Sequence, residues 1–146
     1  MTARRSPGPA GTATSSPAAG QVNLPGTVAE VRALADAYEA ALTGNDVPVL
    51  EALFWNAPHT VRVGAGEELF GTEEIAAFRR ARPAVGLDRT RVRTEVTTFG
   101  TDMGVTTTLF VRDGVPGTGR QTQTWIRFPQ GWRVVSAHVS QRPTSG

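Results

Sequence analysis

The chain contains neither cysteine nor lysine, a single tyrosine and two histidines. Without cysteine there is no disulfide, no thiol nucleophile and no thiolate metal site. Without lysine there is no Schiff-base chemistry on a side-chain amine, and all fifteen cations are arginine. His59 and His138 lie far apart and form no helical pair, which sets aside a zinc centre. No apolar run approaches the roughly 20 residues that cross a bilayer, so no membrane partner is expected. Also missing are a Gly-x-Ser-x-Gly elbow, a phosphate-cradling glycine loop with lysine and a dinucleotide fingerprint after a strand. The glycine-rich stretches Gly64–Gly66 and Gly114–Gly119 read as turns.

What is present fits one domain. A chain of 146 residues with 39% hydrophobic content is long enough for one real core and too short for two. The isoelectric point near 10.3 suggests a nucleic-acid partner, but the net charge is only +2. The high value reflects arginine's pKa with no lysine or cysteine to buffer the curve. The arginines at 79, 80 and 82 and at 89, 91 and 93 have no interleaved aromatics and no recognition motif around them, so no nucleic acid is expected. Residues 1–21 are rich in Pro, Gly, Ala and Ser and read as a disordered tail. Arg4-Arg5 is followed by no apolar segment, which points away from export and toward the cytoplasm.

The domain is expected over 22–143. A helix should start near Thr27, where Thr27-Val28-Ala29-Glu30 has the form of a capping box. Val31, Leu34, Ala35, Tyr38, Ala41 and Leu42 then fall on one helical face, and Gly44 supplies a stop. Asp46 caps a short second helix through Leu50, Leu53 and Phe54, with Pro48 tolerated in its first turn. Thr60–Val63 and Glu67–Phe70 form a hairpin. Gly71-Thr72 caps a third helix from Glu73 to about Ala81, with acids in its first turn, arginines in its last and Pro83 behind it. Arg91–Phe99, Met103–Arg112, Arg120–Phe128 and Trp132–Ser140 are strands joined by short links, hence an antiparallel meander. Three helices set apart from five or six strands imply an α+β layer fold. A strongly curved sheet wrapped around the first helix would enclose a conical pocket.

Two side chains stand out on pattern. Tyr38 lies on the apolar stripe of the first helix and is either a core tyrosine or, beside a cation, an acid–base group with a lowered pKa. Arg62 alternates with Val61 and Val63 and either faces solvent or clamps a carboxylate through its planar fork. Behind these come Arg79 and Arg82, three apart on the third helix; Gln121, Gln123 and Trp125 on one side of a strand; and His138 and Ser140, placed by simple alternation on the face of Trp132, Val134 and Ser136. The glutamine amides suit a urea-like or carboxylate group.

The segments Leu53-Phe54-Trp55, Val61-Arg62-Val63-Gly64, Glu68-Leu69-Phe70-Gly71 with Ile75, Phe78-Arg79 and Arg82, and the closing Gln121, Gln123-Thr124-Trp125 and Gly131-Trp132…Ala137-His138-Val139-Ser140 resemble the AtzH-like family. That family belongs to the SnoaL-like, nuclear transport factor 2-like superfamily of α+β cones. The resemblance covers about residues 22–143. It implies a homodimer with a pocket inside each cone and a place in cyanuric acid or oxalurate breakdown. It further implies a decarboxylating amidohydrolase that turns 1,3-dicarboxyurea into allophanate with a helix tyrosine and a strand arginine, matched here by Tyr38 and Arg62. The substrate would be a small anionic ureide or dicarboxylate, with Arg79, Gln123, Trp125, His138 and Ser140 as further contacts. The chemistry requires no metal or organic cofactor. The competing expectations are a non-catalytic small-anion-binding accessory protein and an isomerase or cyclase of the wider superfamily.

Overall fold

Helix α1 (Pro25–Thr43) begins two residues before the expected cap. Leu24 is its N-cap and makes no side-chain cap bond, while Pro25 opens the helix. Proline's fixed φ suits this position, and its missing N–H is not needed there. The capping box is therefore not used. Thr27 is buried inside the first turn, and Glu30 instead accepts a hydrogen bond from Trp132 Nε1 at 2.9 Å. The computed structural model describes residues 19–144. The tail assignment thus lies outside the described residues up to 18, and Ala19–Gln21 form a 3-10 turn.

Asp46 caps helix α2 (Val47–Leu53) as expected, with Oδ1 accepting from the Val49 amide at 3.3 Å. Phe54 leaves the helix in an extended conformation and bridges to Val134. The next loop is stitched by hydroxyls. Thr60 Oγ1 donates to the Trp55 carbonyl at 2.7 Å, and Thr72 Oγ1 lies 3.0 Å from the same oxygen and accepts from the Ala57 amide at 2.7 Å. These bonds set strand β1 (Val61–Val63) and helix α3 (Thr72–Ala81) in a fixed relation, and with them the arginines each carries. Thr72 thus serves this loop rather than capping α3, whose N-cap is Gly71 at φ +92°, a backbone angle that glycine adopts freely. α3 ends one residue before the extended Arg82, as the following Pro83 requires.

β1 pairs antiparallel with β2 (Glu68–Phe70) and parallel with the last strand, a long-range match that local patterning does not reveal. The remaining strands are β3 (Thr90–Phe99), β4 (Met103–Arg112), β5 (Val115–Phe128) and β6 (Gly131–Arg142). They form the expected antiparallel meander in a six-stranded sheet of order β2-β1-β6-β5-β4-β3. β5 starts earlier than expected, because the link after β4 is a tight turn at Asp113-Gly114 rather than a loop to Gly119. Register shifts at Arg91/Arg93, Phe110/Arg112 and Thr124/Trp125 mark bulges, which bend and twist a sheet. The helices pack on one side, α1 across β3 and β4 and against α2, α2 on β6 and α3 beside β2. Val31, Tyr38, Leu42, Leu50, Phe54, Ile75, Trp125 and Val134 form the core between them.

Candidate functional site

Three arginines and the lone tyrosine meet inside this core. Tyr38 keeps to the apolar stripe of α1 and is 2% exposed. Arg62 points to the interior, 6% exposed, while Val61 and Val63 flank it only half-buried. On α3 the spacing Ile75 to Arg79 puts Arg79 one turn along the buried face. It is fully buried. Arg82, at the end of the same helix, is half-buried.

Phe78 ties the cluster together. The Arg62 guanidinium lies 5.3 Å from its ring centre and that of Arg82 lies 5.7 Å away. Arg79 lies 4.8 Å from the Phe54 ring and 5.9 Å from the Tyr38 ring. Arg62 Nη1 pairs with Glu67 Oε1 at 2.8 Å. Gly64 is what lets that acid fold back, since a Cβ there would overlap the Glu67 carboxylate. Arg79 has no acid partner: Nε, Nη1 and Nη2 are all buried without an acceptor in good hydrogen-bond geometry, and the side-chain oxygen beside them is the Tyr38 phenol. Nε and Nη2 of Arg82 are likewise buried without an acceptor. The Glu51 carboxylate, whose charge reaches Arg79, pairs with Arg80 at 3.0 Å instead.

Buried guanidiniums are costly unless paired and hydrogen-bonded. Here three of them face one carboxylate, Glu67, and the remainder is two positive charges. The effect reaches Tyr38. Burial alone pushes the phenol up, but Arg79, Arg62 and Arg89 outweigh it and bring it from 10.0 down to about 8. Burial, and then the neighbouring Arg62, push Arg79 down against the pull of Tyr38. Burial, Arg79 and Arg62 likewise push Arg82 down. Arginine remains a cation throughout.

The concave side of the sheet adds polar groups. Arg89 binds Glu39 through two bonds, Nε to Oε2 at 2.8 Å and Nη2 to Oε1 at 2.7 Å, and donates to Gln121 Oε1 at 2.9 Å. It stacks on Phe110 at 4.1 Å. Gln123 is buried beside Thr106, whose hydroxyl lies 3.4 Å from Gln123 Oε1. Among the described residues no group of three His, Asp or Glu side chains is placed to hold a metal ion.

The structure therefore brings together Tyr38, Arg62 and Arg79, and places Gln123 on the same interior face. The other three expected contacts fall elsewhere. Trp125 is in the core, fully buried, and its one N–H is engaged by Thr106 Oγ1 at 3.2 Å. His138 is exposed and Ser140 accepts from Arg120 Nε at 3.1 Å on the outer face. The reason is the bulge opposite Thr124 and Trp125, where β6 has one extra residue. Trp132 and Val134 point inward before it, and Ala137 after it, so simple alternation places His138 on the wrong side. Glu39, Glu67, Arg89 and Thr106 had no sequence signal. Each matters through a partner that only folding supplies.

A groove of about 870 Å³ is lined by none of Tyr38, Arg62, Arg79 and Arg82. Residues of both α2 and α3 line it, with Trp55, Thr72, Arg80 and Phe128 among its walls. Phe54 is common to both, lining the groove while packing against Tyr38 and Arg79.

Residues 20–145 match the AtzH-like family model. The chain belongs to the AtzH-like family. Two crystal structures are close in sequence and shape to this AtzH-like chain. One is a protein of unknown function from Pectobacterium atrosepticum, 53% identical over 86% of this chain and 98% of its own, with a TM-score of 0.85. The other is a cystatin-like fold protein from Burkholderia xenovorans, 46% identical over 85% and 98%, with a TM-score of 0.81. An NTF2-like protein of unknown function from Pseudomonas putida shares the fold at 18% identity over 82% and 94%, with a TM-score of 0.67. No curated protein matches the sequence. The AtzH-like protein is thus an α+β cone of the nuclear transport factor 2-like, cystatin-like kind. Among its described residues no helix is long and apolar enough to cross a membrane.

Proposed function

We propose that this AtzH-like protein binds a small dianion inside the cone and, with no cofactor, removes carbon dioxide from an N-carboxylated urea, with 1,3-dicarboxyurea going to allophanate. The observation that carries the reading is Arg79, a fully buried guanidinium that no carboxylate pairs with among the described residues and whose neighbour is the chain's single tyrosine. Two uncompensated cations match the two carboxylates of such a substrate. A guanidinium fork grips a carboxylate through parallel bonds, so Arg62 and Arg79 would fix its orientation.

The reaction needs one proton. Tyr38 delivers it to the carbamate nitrogen, the bond from that nitrogen to the carboxylate carbon breaks, and its electron pair stays on nitrogen while carbon dioxide leaves. The guanidiniums that lower the phenol's pKa also stabilise the tyrosinate left behind. Water then returns the proton. A positioned acid of this kind contributes about 10²–10⁴-fold.

The test supplies purified protein with 1,3-dicarboxyurea and follows carbon dioxide release. Wild-type protein should turn over. Tyr38→Phe should lose at least about 10²-fold in kcat and keep its affinity for malonate, because the arginines remain. Full activity in Tyr38→Phe removes the phenol from the mechanism. Malonate binding without any carbon dioxide release in wild type would make the protein an anion-binding module.

A further inference from the structure

Gln123 lies in the cone interior with its amide orientation set by neighbours that are not themselves part of the anion clamp. Thr106 and Gln123 are directly opposite in the β4–β5 register, and Trp125 is the next inward residue of β5. The three are 1%, 3% and 0% exposed. The indole N–H of Trp125 can only donate, and it donates to Thr106 Oγ1 at 3.2 Å. That leaves the hydroxyl proton, and among the described residues it has one acceptor, Gln123 Oε1 at 3.4 Å. The relay runs in one direction, from indole to hydroxyl to amide carbonyl. Gln123 Nε2 is consequently turned away from Thr106, and it is buried without a partner. Two strand positions earlier, Gln121 is held the same way round, because its Oε1 accepts from Arg89 Nη2 at 2.9 Å.

Arg79, Arg82 and Gln123 contribute buried, unpartnered nitrogens, and the one carboxylate oxygen beside them on that footing, Glu51 Oε1, is drawn to Arg80 at 3.0 Å. The interior acids are already engaged, Glu39 by Arg89 and Glu67 by Arg62. Buried donors are rarely left without acceptors, and a ligand is one way to satisfy them. The arginines suit carboxylates. A neutral amide N–H suits a neutral oxygen, and it would be wasted on a second carboxylate that a guanidinium binds better.

We infer that Gln123 reads a neutral carbonyl oxygen of the substrate and that Thr106 is the positioning residue that keeps the amide N–H₂ facing it. The site then selects a compact acid bearing both a carboxylate and a ureide or amide carbonyl, over plain dicarboxylates and over acids without the carbonyl. This inference rests on the anion-binding reading above and adds to it the part of the ligand that the arginines cannot distinguish.

The experiment measures binding by calorimetry with three probes: malonate, ureidoacetate, and 4-methylpentanoate, which has the shape of ureidoacetate without its carbonyl or N–H groups. Wild-type protein should prefer ureidoacetate over 4-methylpentanoate by about tenfold, the scale of one well-placed neutral hydrogen bond. Thr106→Val keeps the shape and removes the hydroxyl, and it should abolish that preference. Gln123→Leu should do the same, and Thr106→Ser should restore it. Malonate affinity should stay unchanged in both Thr106 variants, which also shows that they fold. Equal loss of malonate and ureidoacetate binding in Thr106→Val would reduce Thr106 to a packing role and overturn the inference. A preference that survives in Thr106→Val, or that wild type lacks, would overturn it while leaving the arginine clamp intact. Failure of wild type to bind either malonate or ureidoacetate would overturn the anion reading and this inference with it.

Discussion

Replacing Arg79 with methionine should stabilise the ligand-free protein while removing its ability to bind an anion. Arg79 is fully buried, and no carboxylate among the described residues pairs with its three nitrogens. Taking a cation out of water costs several kcal/mol after relaxation. Stacking on Phe54 at 4.8 Å and Tyr38 at 5.9 Å offsets part of this, about 0.5–2 kcal/mol per ring. Arg62 and Arg82 add repulsion of like charge. Methionine fills a similar volume with no charge to desolvate, so Arg79→Met should gain about 1–4 kcal/mol, the range seen when buried charges give way to packed apolar groups. For a domain of this size about 1 kcal/mol moves Tm by roughly 4 °C. The assay is thermal unfolding with and without malonate. Wild type at a hundredfold excess over Kd should gain about 2.7 kcal/mol from the ligand. The variant should start higher and gain nothing. A fall in the ligand-free Tm of the variant by more than about 4 °C would refute the reasoning. It would mean that the guanidinium holds the fold through contacts and is not a charge waiting for a partner.

Because Tyr38 is the chain's single tyrosine, its ionisation can be followed by tyrosinate absorbance without ambiguity. The midpoint should lie near 8 in wild type and higher in Arg79→Met; an unshifted midpoint near 10 would contradict the geometry. The stability consequence has a definite sign. The folded value lies below the unfolded one, so the contribution is complete above pH 10.0, is lost as pH falls through about 8, and amounts to about 2–3 kcal/mol relative to Tyr38→Phe. If Tyr38 is the proton donor, kcat/KM should fall above pH about 8, and a flat profile to pH 10 would exclude that role. Glu67→Gln removes the one acid paired with Arg62 and should tighten malonate several-fold at low salt, with the gain shrinking as ionic strength rises; weaker binding would show that Glu67 positions Arg62 more than it neutralises it.

The helices and the four long strands are legible in the sequence because their signals are local. The apolar stripe from Val31 to Leu42, the Asp46 cap and the Pro83 stop each act within a turn or two. The parallel pairing of β1 with β6 is not legible, since it joins residues more than seventy positions apart. The same division holds within the site. Tyr38 and Arg62 stand out because an amphipathic helix and an alternating strand state which way they face. His138 and Ser140 are misplaced because one extra residue in β6 reverses the alternation, and nothing in Val134-Val135-Ser136 announces a bulge. Thr27 and Glu30 have the spacing of a capping box but are claimed by the core and by Trp132, a tertiary demand that outweighs a local one.

The cluster also explains why the phenol is suited to give up a proton only once. Before an anion binds, the two uncompensated guanidiniums favour tyrosinate, and the pKa is about 8. A bound dianion cancels that charge and places negative oxygens near the phenol, which favours the neutral form. Tyr38 therefore enters the complex protonated across the neutral range. Loss of carbon dioxide takes one carboxylate carbon away from the urea and leaves a monoanion. The cations are then short of one negative charge, and a tyrosinate is what restores the balance. The charge lost by the substrate and the charge gained by the phenol are equal, so the step moves no net charge into or out of the buried site. That is the condition under which a low-dielectric interior, with its donors fixed in advance, favours the transition state over the bound substrate.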